Sequence, residues 1–271
     1  TAWVRAFDAN RNRLAIGGAG NYSVALTWNE SVSKWGGRID LSSISGAATF
    51  LAVVVDASDQ VKYRGTQLIT ISDSNRNDTI TLEAAVNFSI GDIGPAGGYI
   101  FYDRSSYSSD GWRYLEAAPA GWSGVSADPR PIWGYYRTEP LGNCLAVGGT
   151  GTAVGTGESN TATLVATMGS AAYTWHSAWQ STRTTSYYAA KVCFDHSGGG
   201  VDDWFLPSKD ELALMCENLH LNGIGGFSAV YYWSSSEYNW EYAHDKIFIY
   251  NGSAGTGYRD IDNRIRPARA F

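Results

Sequence analysis

The stretch Asp202-Asp203-Trp204-Phe205-Leu206-Pro207-Ser208-Lys209-Asp210-Glu211-Leu212 is the clearest structural signal in the chain. Ser208 and Glu211 have the spacing of a capping box, in which each side chain bonds to the other residue's backbone N–H. Met215 and Leu219 continue the apolar positions at helical spacing. The sequence therefore predicts a helix that begins at Ser208.

Working outward from this helix, we expect two more. One starts near Ser159 and the other runs from Thr185 to Phe194, and short strand-like stretches and Gly-rich loops separate them. Few helices, short strands and no repeated βαβ unit are typical of an α+β domain.

The first 90 residues have a different pattern. Short alternating stretches such as Trp3 to Phe7 and Phe50 to Val55 are separated by Gly, Asn, Asp and Ser clusters, which predicts an antiparallel sandwich. The turn-forming run from Gly91 to Gly98 follows. The pattern of the first block resembles that of immunoglobulin-like modules, so we predict an immunoglobulin-like β-sandwich spacer over 1–90 and an α+β domain over 91–271.

The amino-acid composition argues against several classes of function. The chain has 271 residues and a net charge of −6, which argues against a nucleic-acid partner because phosphates require clustered Lys and Arg. The longest apolar run, Ala47 to Val55, is far shorter than the about 20 residues of a membrane helix, so no transmembrane span is predicted. Of the 37 aromatic residues, 29 follow residue 90.

The residues that usually perform catalysis are scattered. The four histidines form no HExxH pair, and no GxSxG motif occurs. Three cysteines are too few and too far apart for a zinc site, and they fit either three buried thiols or one disulfide with a free thiol. Several aspartates in turn-like sequence could help to bind calcium, but none is assigned. We predict no catalytic residue, no metal ligand and no cofactor. The cysteines are Cys144, Cys193 and Cys216, and the aspartates are Asp103, Asp110, Asp202 and Asp203.

The carboxyl-terminal segment is rich in aromatic residues. Nine of the 28 residues from Tyr231 to Tyr258 are aromatic, and Asn, Ser, Asp, Glu and His lie between them. Tyr231 to Trp233 and Phe248 are expected in the core. The remaining Tyr with small polar residues has the composition of an antibody-like binding surface, because Tyr offers large contact area at low entropy cost.

Five motifs carry a resemblance to a known family. They are Gly91-Asp92-Ile93-Gly94-Pro95-Ala96-Gly97-Gly98, Gly111-Trp112-Arg113-Tyr114-Leu115-Glu116-Ala117-Ala118-Pro119, the stretch 202–212 quoted above, Tyr232-Trp233-Ser234-Ser235-Ser236-Glu237, and Arg264-Ile265-Arg266-Pro267-Ala268-Arg269-Ala270-Phe271. In this order, they resemble the variable proteins of diversity-generating retroelements, which are bacterial surface proteins with a C-type lectin fold. The resemblance covers about residues 88–271.

The resemblance implies a C-type lectin-like domain of the formylglycine-generating-enzyme type. It also implies that a variable region, about 238–263, is rewritten by adenine-directed mutagenesis while the scaffold stays unchanged. Mutating the adenines of an asparagine codon cannot yield Trp, so Trp240 is predicted as a ligand contact and not as a diversified position. The predicted ligand-binding residues are Tyr238, Asn239, Trp240, Tyr242, His244, Tyr250, Ser253, Tyr258, Asp260 and Asp262.

These observations predict recognition without enzymatic chemistry. The expected partner is a protein or glycan on another cell, and the chain is expected to be a monomer. The resemblance further implies display at the cell surface as an outer-membrane lipoprotein whose anchor lies outside this chain. Two alternatives stay open: a lectin with a fixed aromatic site assisted by calcium, and an enzyme of the formylglycine-generating type.

Overall fold

The protein is described here by a computed structural model that covers residues 1–8, 13–17, 21–40, 46–55, 61–71, 81, 83–84, 87–105, 112–249 and 252–271. The chain forms two compact units. The first contains Thr1–Asn87 and Arg104–Arg113, and the second contains Phe88–Asp103 and Tyr114–Phe271. The predicted division at residue 90 lies close to Asn87, the last residue of the first unit before the chain enters the second. No feature of the sequence predicted that residues 104–113 belong to the first unit.

The first unit is built from antiparallel strands. They are β1 (Ala2–Phe7), β2 (Arg13–Leu14), β3 (Val24–Asn29), β4 (Lys34–Gly36), β5 (Gly46–Val55), β6 (Val61–Ile71) and β7 (Glu83–Ala84). Hydrogen bonds connect them in the order β4-β3-β1-β5-β6-β7, with β2 beside β1. In the described residues these strands belong to one connected sheet, so two facing sheets are not distinguished there. The immunoglobulin-like sandwich stays a prediction.

Both faces of this sheet carry apolar residues. Val4 and Phe50 pack with Ile16 on one face, whereas Leu51 and Val53 belong to a smaller cluster on the other. Successive residues of a strand point to opposite faces, which explains how the continuous apolar run of β5 supplies both clusters.

The second unit combines strands and helices, as the predicted α+β class requires. Its strands are β8 (Tyr99–Asp103), β9 (Tyr114–Ala117), β10 (Ala172–Tyr173), β11 (Thr184–Thr185), β12 (Tyr231–Glu237), β13 (Tyr242–Ile247), β14 (Ala254–Tyr258) and β15 (Ala268–Ala270). Its helices are α1 (Gly157–Met168), α2 (Ala189–Phe194), α3 (Lys209–Asn218) and a 3₁₀ turn, His220–Asn222. The strands pair as β15-β9-β8, β12-β13-β14 and β10-β11.

The capping box at the start of α3 is confirmed. The Ser208 hydroxyl accepts from the Glu211 N–H at 3.3 Å, and the Glu211 carboxylate accepts from the Ser208 N–H at 2.7 Å. The helix predicted from Thr185 begins later, at Ala189, because Thr184–Thr185 pairs with Ala172–Tyr173 as a strand.

The main core lies between helix α1, helix α2 and strand β12. Leu164, Tyr188 and Trp233 are fully buried in it, together with Trp133 and Ile265. Burial of such large apolar side chains is the dominant stabilising contribution to a fold of this size. Among the described residues, no helix is long and apolar enough to cross a membrane.

Candidate ligand-binding surface

The three-stranded sheet β12-β13-β14 contains most of the predicted site. Tyr242 pairs with Tyr258 and His244 pairs with Thr256 across β13 and β14. Because paired residues of antiparallel strands point to the same side, these four side chains share one face. Strand pairing therefore brings together residues that lie up to 16 positions apart in the sequence.

A tight turn connects β12 to β13 and presents two aromatic side chains. The Asn239 side-chain oxygen accepts from the N–H groups of Glu241 and Tyr242, both at 2.8 Å. This is the local bonding that favours Asn in turns. Tyr238 and Trp240, on either side of Asn239, are 59% and 45% exposed. The turn is thus ordered by its own asparagine while its aromatic side chains meet solvent.

Two further contacts organise the exposed aromatic residues. The Tyr242 and Tyr258 rings have centroids 4.5 Å apart, and Tyr258 is 44% exposed. A hydrogen bond to Tyr258 raises the pKa of the Tyr242 hydroxyl to about 12. The Tyr238 and His244 rings meet edge to face, with centroids 5.4 Å apart. These pairs leave the rings partly open and limit how they can turn.

The base of this surface is held by a buried arginine. Arg259 is fully buried, pairs with Glu237 and donates to the backbone oxygen of Asn239. Its guanidinium lies 4.5 Å from the centre of the Trp133 ring. Burial lowers the pKa of Arg259, and the charge of Glu237 opposes this effect. Arg259 thereby ties the turn to the core.

Glu237 extends this connection to the Gly-rich loop. Its two carboxylate oxygens accept from the N–H groups of Val147 and Gly148 at 2.7 and 2.8 Å. A carboxylate that accepts two backbone N–H bonds and an arginine is fixed in position. The motif that ends in Glu237 therefore joins the sheet to a loop about 90 residues earlier in the chain.

The three serines before Glu237 are buried and bonded. Ser234 donates to the His244 carbonyl at 2.9 Å, and Ser236 donates to the Gly151 carbonyl at 2.7 Å. Ser235 accepts from the Asn160 side chain at 3.1 Å. Buried hydroxyls need such partners, because an unpaired buried polar group is costly.

Not every predicted site residue faces solvent equally. Ser253 and Asp262 are exposed, and Asn239, Tyr242 and His244 are half-buried. The Asp260 side chain is only 7% exposed and lies 3.8 Å from the His176 Nδ1. Tyr250 lies outside the described residues. The assignment of this set as the ligand-binding site stays a prediction, and Asp260 contributes little surface to it.

The structure exposes further aromatic residues outside the predicted set. Trp175, Trp179 and Tyr187, from the chain between β10 and α2, are 37%, 99% and 53% exposed. Burial and the charge of Asp262 raise the pKa of Tyr187. Sequence reasoning missed these residues. The signal was present in the dense aromatic and hydroxyl composition of residues 173–188.

The polar residues show no metal centre where the structure describes the chain. Across those ranges, no group of three or more His, Cys, Asp or Glu side chains could hold a metal ion. Cys144, Cys193 and Cys216 are buried free thiols, the first of the two arrangements left open by the sequence. That the protein uses no cofactor stays a prediction.

No protein-family model matches the chain, and no curated protein matches it either.

Proposed function

We propose that this protein is a ligand-binding protein whose carboxyl-terminal domain is C-type lectin-like. In this proposal, a retroelement diversifies the variable region of about residues 238–263. The immunoglobulin-like first unit is a spacer, and the chain acts as a monomer at the cell surface through a lipid anchor outside this sequence. It binds its partner and performs no covalent chemistry.

One observation carries the proposal, namely the contrast between exposed residues and the buried motifs that bracket them. Ser234, Ser235 and Ser236 are fully buried before the segment, and Ile265 and Arg266 are buried after it. Three aromatic side chains between these brackets are 44–59% exposed. A surface whose side chains can be replaced without disturbing the core needs this arrangement. The exposed aromatic residues are Tyr238, Trp240 and Tyr258.

The proposed mechanism is recognition by contact area and hydrogen bonds. Tyr and Trp are the residues that most often dominate binding energy at interfaces, so Tyr238, Tyr242 and Tyr258 act as anchors. Asn239 and Asp262 then discriminate among ligands, because an unmatched polar group in an interface weakens binding. Only 17% of the residues are charged, and such a composition suits recognition by contact area and hydrogen bonds.

The test is genetic. If the segment is diversified, a second template copy of the coding sequence for residues 238–263 lies near the gene. Differences between the two copies then fall at adenines of the template and stay within this segment. A template that is absent, or differences that are spread evenly over the gene and over all four bases, would overturn the proposal.

A further inference from the structure

A groove lies in the loop between β10 and β11, outside the predicted variable region. Its volume is about 560 Å³. Sites for small molecules are typically about 300–1,000 Å³, so one or two sugar rings fit this space. The residues that line it are Thr174, Trp175, Gln180, Ser181, Thr182 and Arg183.

A buried arginine holds the two walls of the groove. Arg137 is 5% exposed and donates to the backbone oxygens of Trp175 and, at 2.9 Å, Ser181. Its guanidinium lies 4.7 Å from the centre of the Tyr173 ring. Because one planar group with several fixed donors bonds both walls, their separation is set before any ligand arrives.

Hydrogen bonds within the loop complete the groove. Thr174 donates its N–H to the Arg183 carbonyl at 3.1 Å, and Arg183 donates its own N–H to the Ser181 hydroxyl at 3.0 Å. The hydroxyls of Thr174 and Ser181 are 3.3 Å apart. Hydroxyls, the Gln180 amide and an indole therefore line one concave surface.

The aromatic part of the groove is open on one side. The Trp175 ring stacks on His176, with centroids 5.2 Å apart and planes at 29°, and Trp175 is 37% exposed. One indole face is thus supported by the imidazole. The apolar face of a pyranose ring packs on such a surface while its hydroxyls meet the neighbouring donors and acceptors.

Arg183 is the one charged residue among those that line the groove. It is exposed, and in the described part of the chain it forms no ion pair with a carboxylate. A guanidinium recognises a carboxylate through two parallel hydrogen bonds. Because the chain as a whole carries a charge of −6, it offers no general attraction for an anion, and recognition depends on this local cation.

We propose that this groove binds a saccharide that carries a carboxylate. A pyranose ring stacks on Trp175, the carboxylate pairs with Arg183, and the hydroxyls of Thr174 and Ser181 bond to the sugar. The groove uses none of the residues of 238–263, so substitutions in it can be tested separately from the proposed diversified surface.

The experiment titrates the full chain with three acidic probes: sialyllactose, a hyaluronan tetrasaccharide and trigalacturonate. Lactose is the neutral match for sialyllactose. Binding is measured by calorimetry and by ligand-observed NMR. We expect at least one acidic probe to bind about tenfold or more tightly than lactose, the factor of one charged hydrogen-bonded pair. If none of the three binds more tightly than lactose, the proposal is wrong.

Substitutions test whether the saccharide binds in the groove. Trp175→Ala is expected to abolish binding, and Arg183→Gln is expected to reduce the affinity for the acidic probe about tenfold, to the level of lactose. Trp28→Ala is the matched control, since it removes an indole that is 44% exposed in β3, outside both the groove and the proposed diversified surface, and should leave saccharide binding unchanged. Thermal melting verifies that each variant is folded. Equal losses in Trp175→Ala and Trp28→Ala, or no change in Arg183→Gln, would contradict the assignment. The template comparison decides the diversified surface separately.

Discussion

The exposed aromatic side chains within 238–263 and the two motifs that bracket this segment have opposite surroundings. In the brackets, Ser234 to Ser236 and Arg266 are buried and hydrogen-bonded. Between them, Tyr238 and Tyr258 are about half exposed. The difference indicates that stability depends on the brackets and on the buried residues between them, whereas recognition depends on the exposed side chains of the segment. Substitutions on both sides of this division can test it.

The largest effect is expected in the second bracket. Arg266 forms two bonds of 2.8 Å to the carboxylate of Asp128, and both side chains are almost fully buried. Arg266→Met leaves that carboxylate without its cation, which should cost about 3–5 kcal/mol of unfolding free energy. Chemical denaturation measures this loss of unfolding free energy. Arg130→Met is the control, because Arg130 is exposed and should change stability by less than about 0.5 kcal/mol. A loss below about 1 kcal/mol in Arg266→Met would show that the bracket is not structural.

A smaller loss is expected where the sheet meets the core. A Cβ atom at Gly257 would lie 2.7 Å from the Trp233 ring, which is buried. Gly257→Ala should therefore cost about 1–3 kcal/mol through overpacking. At Gly36, a Cβ atom meets nothing within 4 Å, so Gly36→Ala should be close to neutral. Equal melting temperatures for the two variants would mean that the sheet can shift freely.

The third prediction concerns pH. Burial raises the pKa of Asp245 from 3.8 to about 6, and a bond from Asn263 partly opposes it. The folded state therefore holds this proton more tightly, so its contribution to stability is present below pH 4 and lost as pH rises through 6. Asp245→Asn removes the cost of ionisation and should stabilise the protein by about 1–2 kcal/mol at pH 8. Denaturation at pH 4 and pH 8 measures this difference.

A second buried carboxyl group, Glu211, also contributes to the pH dependence of stability. Burial raises its pKa to about 7 although the N–H groups of Ser208 and Gly155 bond to it. It also makes the fold less stable as pH rises, so Asp245→Asn should reduce the pH dependence and not remove it. A variant whose stability changes with pH as steeply as that of the parent protein would show that Asp245 is ionised at no cost.

The smallest effect on stability is expected at the exposed aromatic residues. Tyr238→Ala and Tyr258→Ala should each change the unfolding free energy by no more than about 0.5 kcal/mol, because both side chains are about half exposed and lie outside the core. Binding of a cognate ligand should fall in both variants. A loss of several kcal/mol of stability would show that these rings belong to the core.

Local signals in the sequence predicted much of the second unit. The Ser208 and Glu211 pair marked the start of α3, because a capping box depends only on neighbouring residues. The helix expected near Ser159 is α1, which begins at Gly157. Tyr232, Trp233 and Phe248 are buried, as expected of strand aromatics in that segment, but the same expectation was wrong for Tyr231, which is 46% exposed.

Contacts between distant residues could not be predicted in this way. Thr184 and Thr185 form a strand because they meet Ala172–Tyr173, and no local pattern marks that pairing. Asp260 turns toward His176, 84 positions earlier, instead of toward solvent. The groove at Trp175 depends on Arg137, which reaches it across about 40 residues. Such long-range contacts decide which polar residues are exposed.

The most direct test of the division between surface and scaffold is a pair of displayed libraries scored by resistance to protease. The first library randomises Tyr238, Trp240, Tyr242, His244, Ser253, Tyr258 and Asp262. The second randomises an equal number of bracket positions, Ser234, Ser235, Ser236, Glu237, Ile265, Arg266 and Pro267. We predict that most members of the first library stay folded and that few members of the second do. Equal survival of the two libraries would contradict the division.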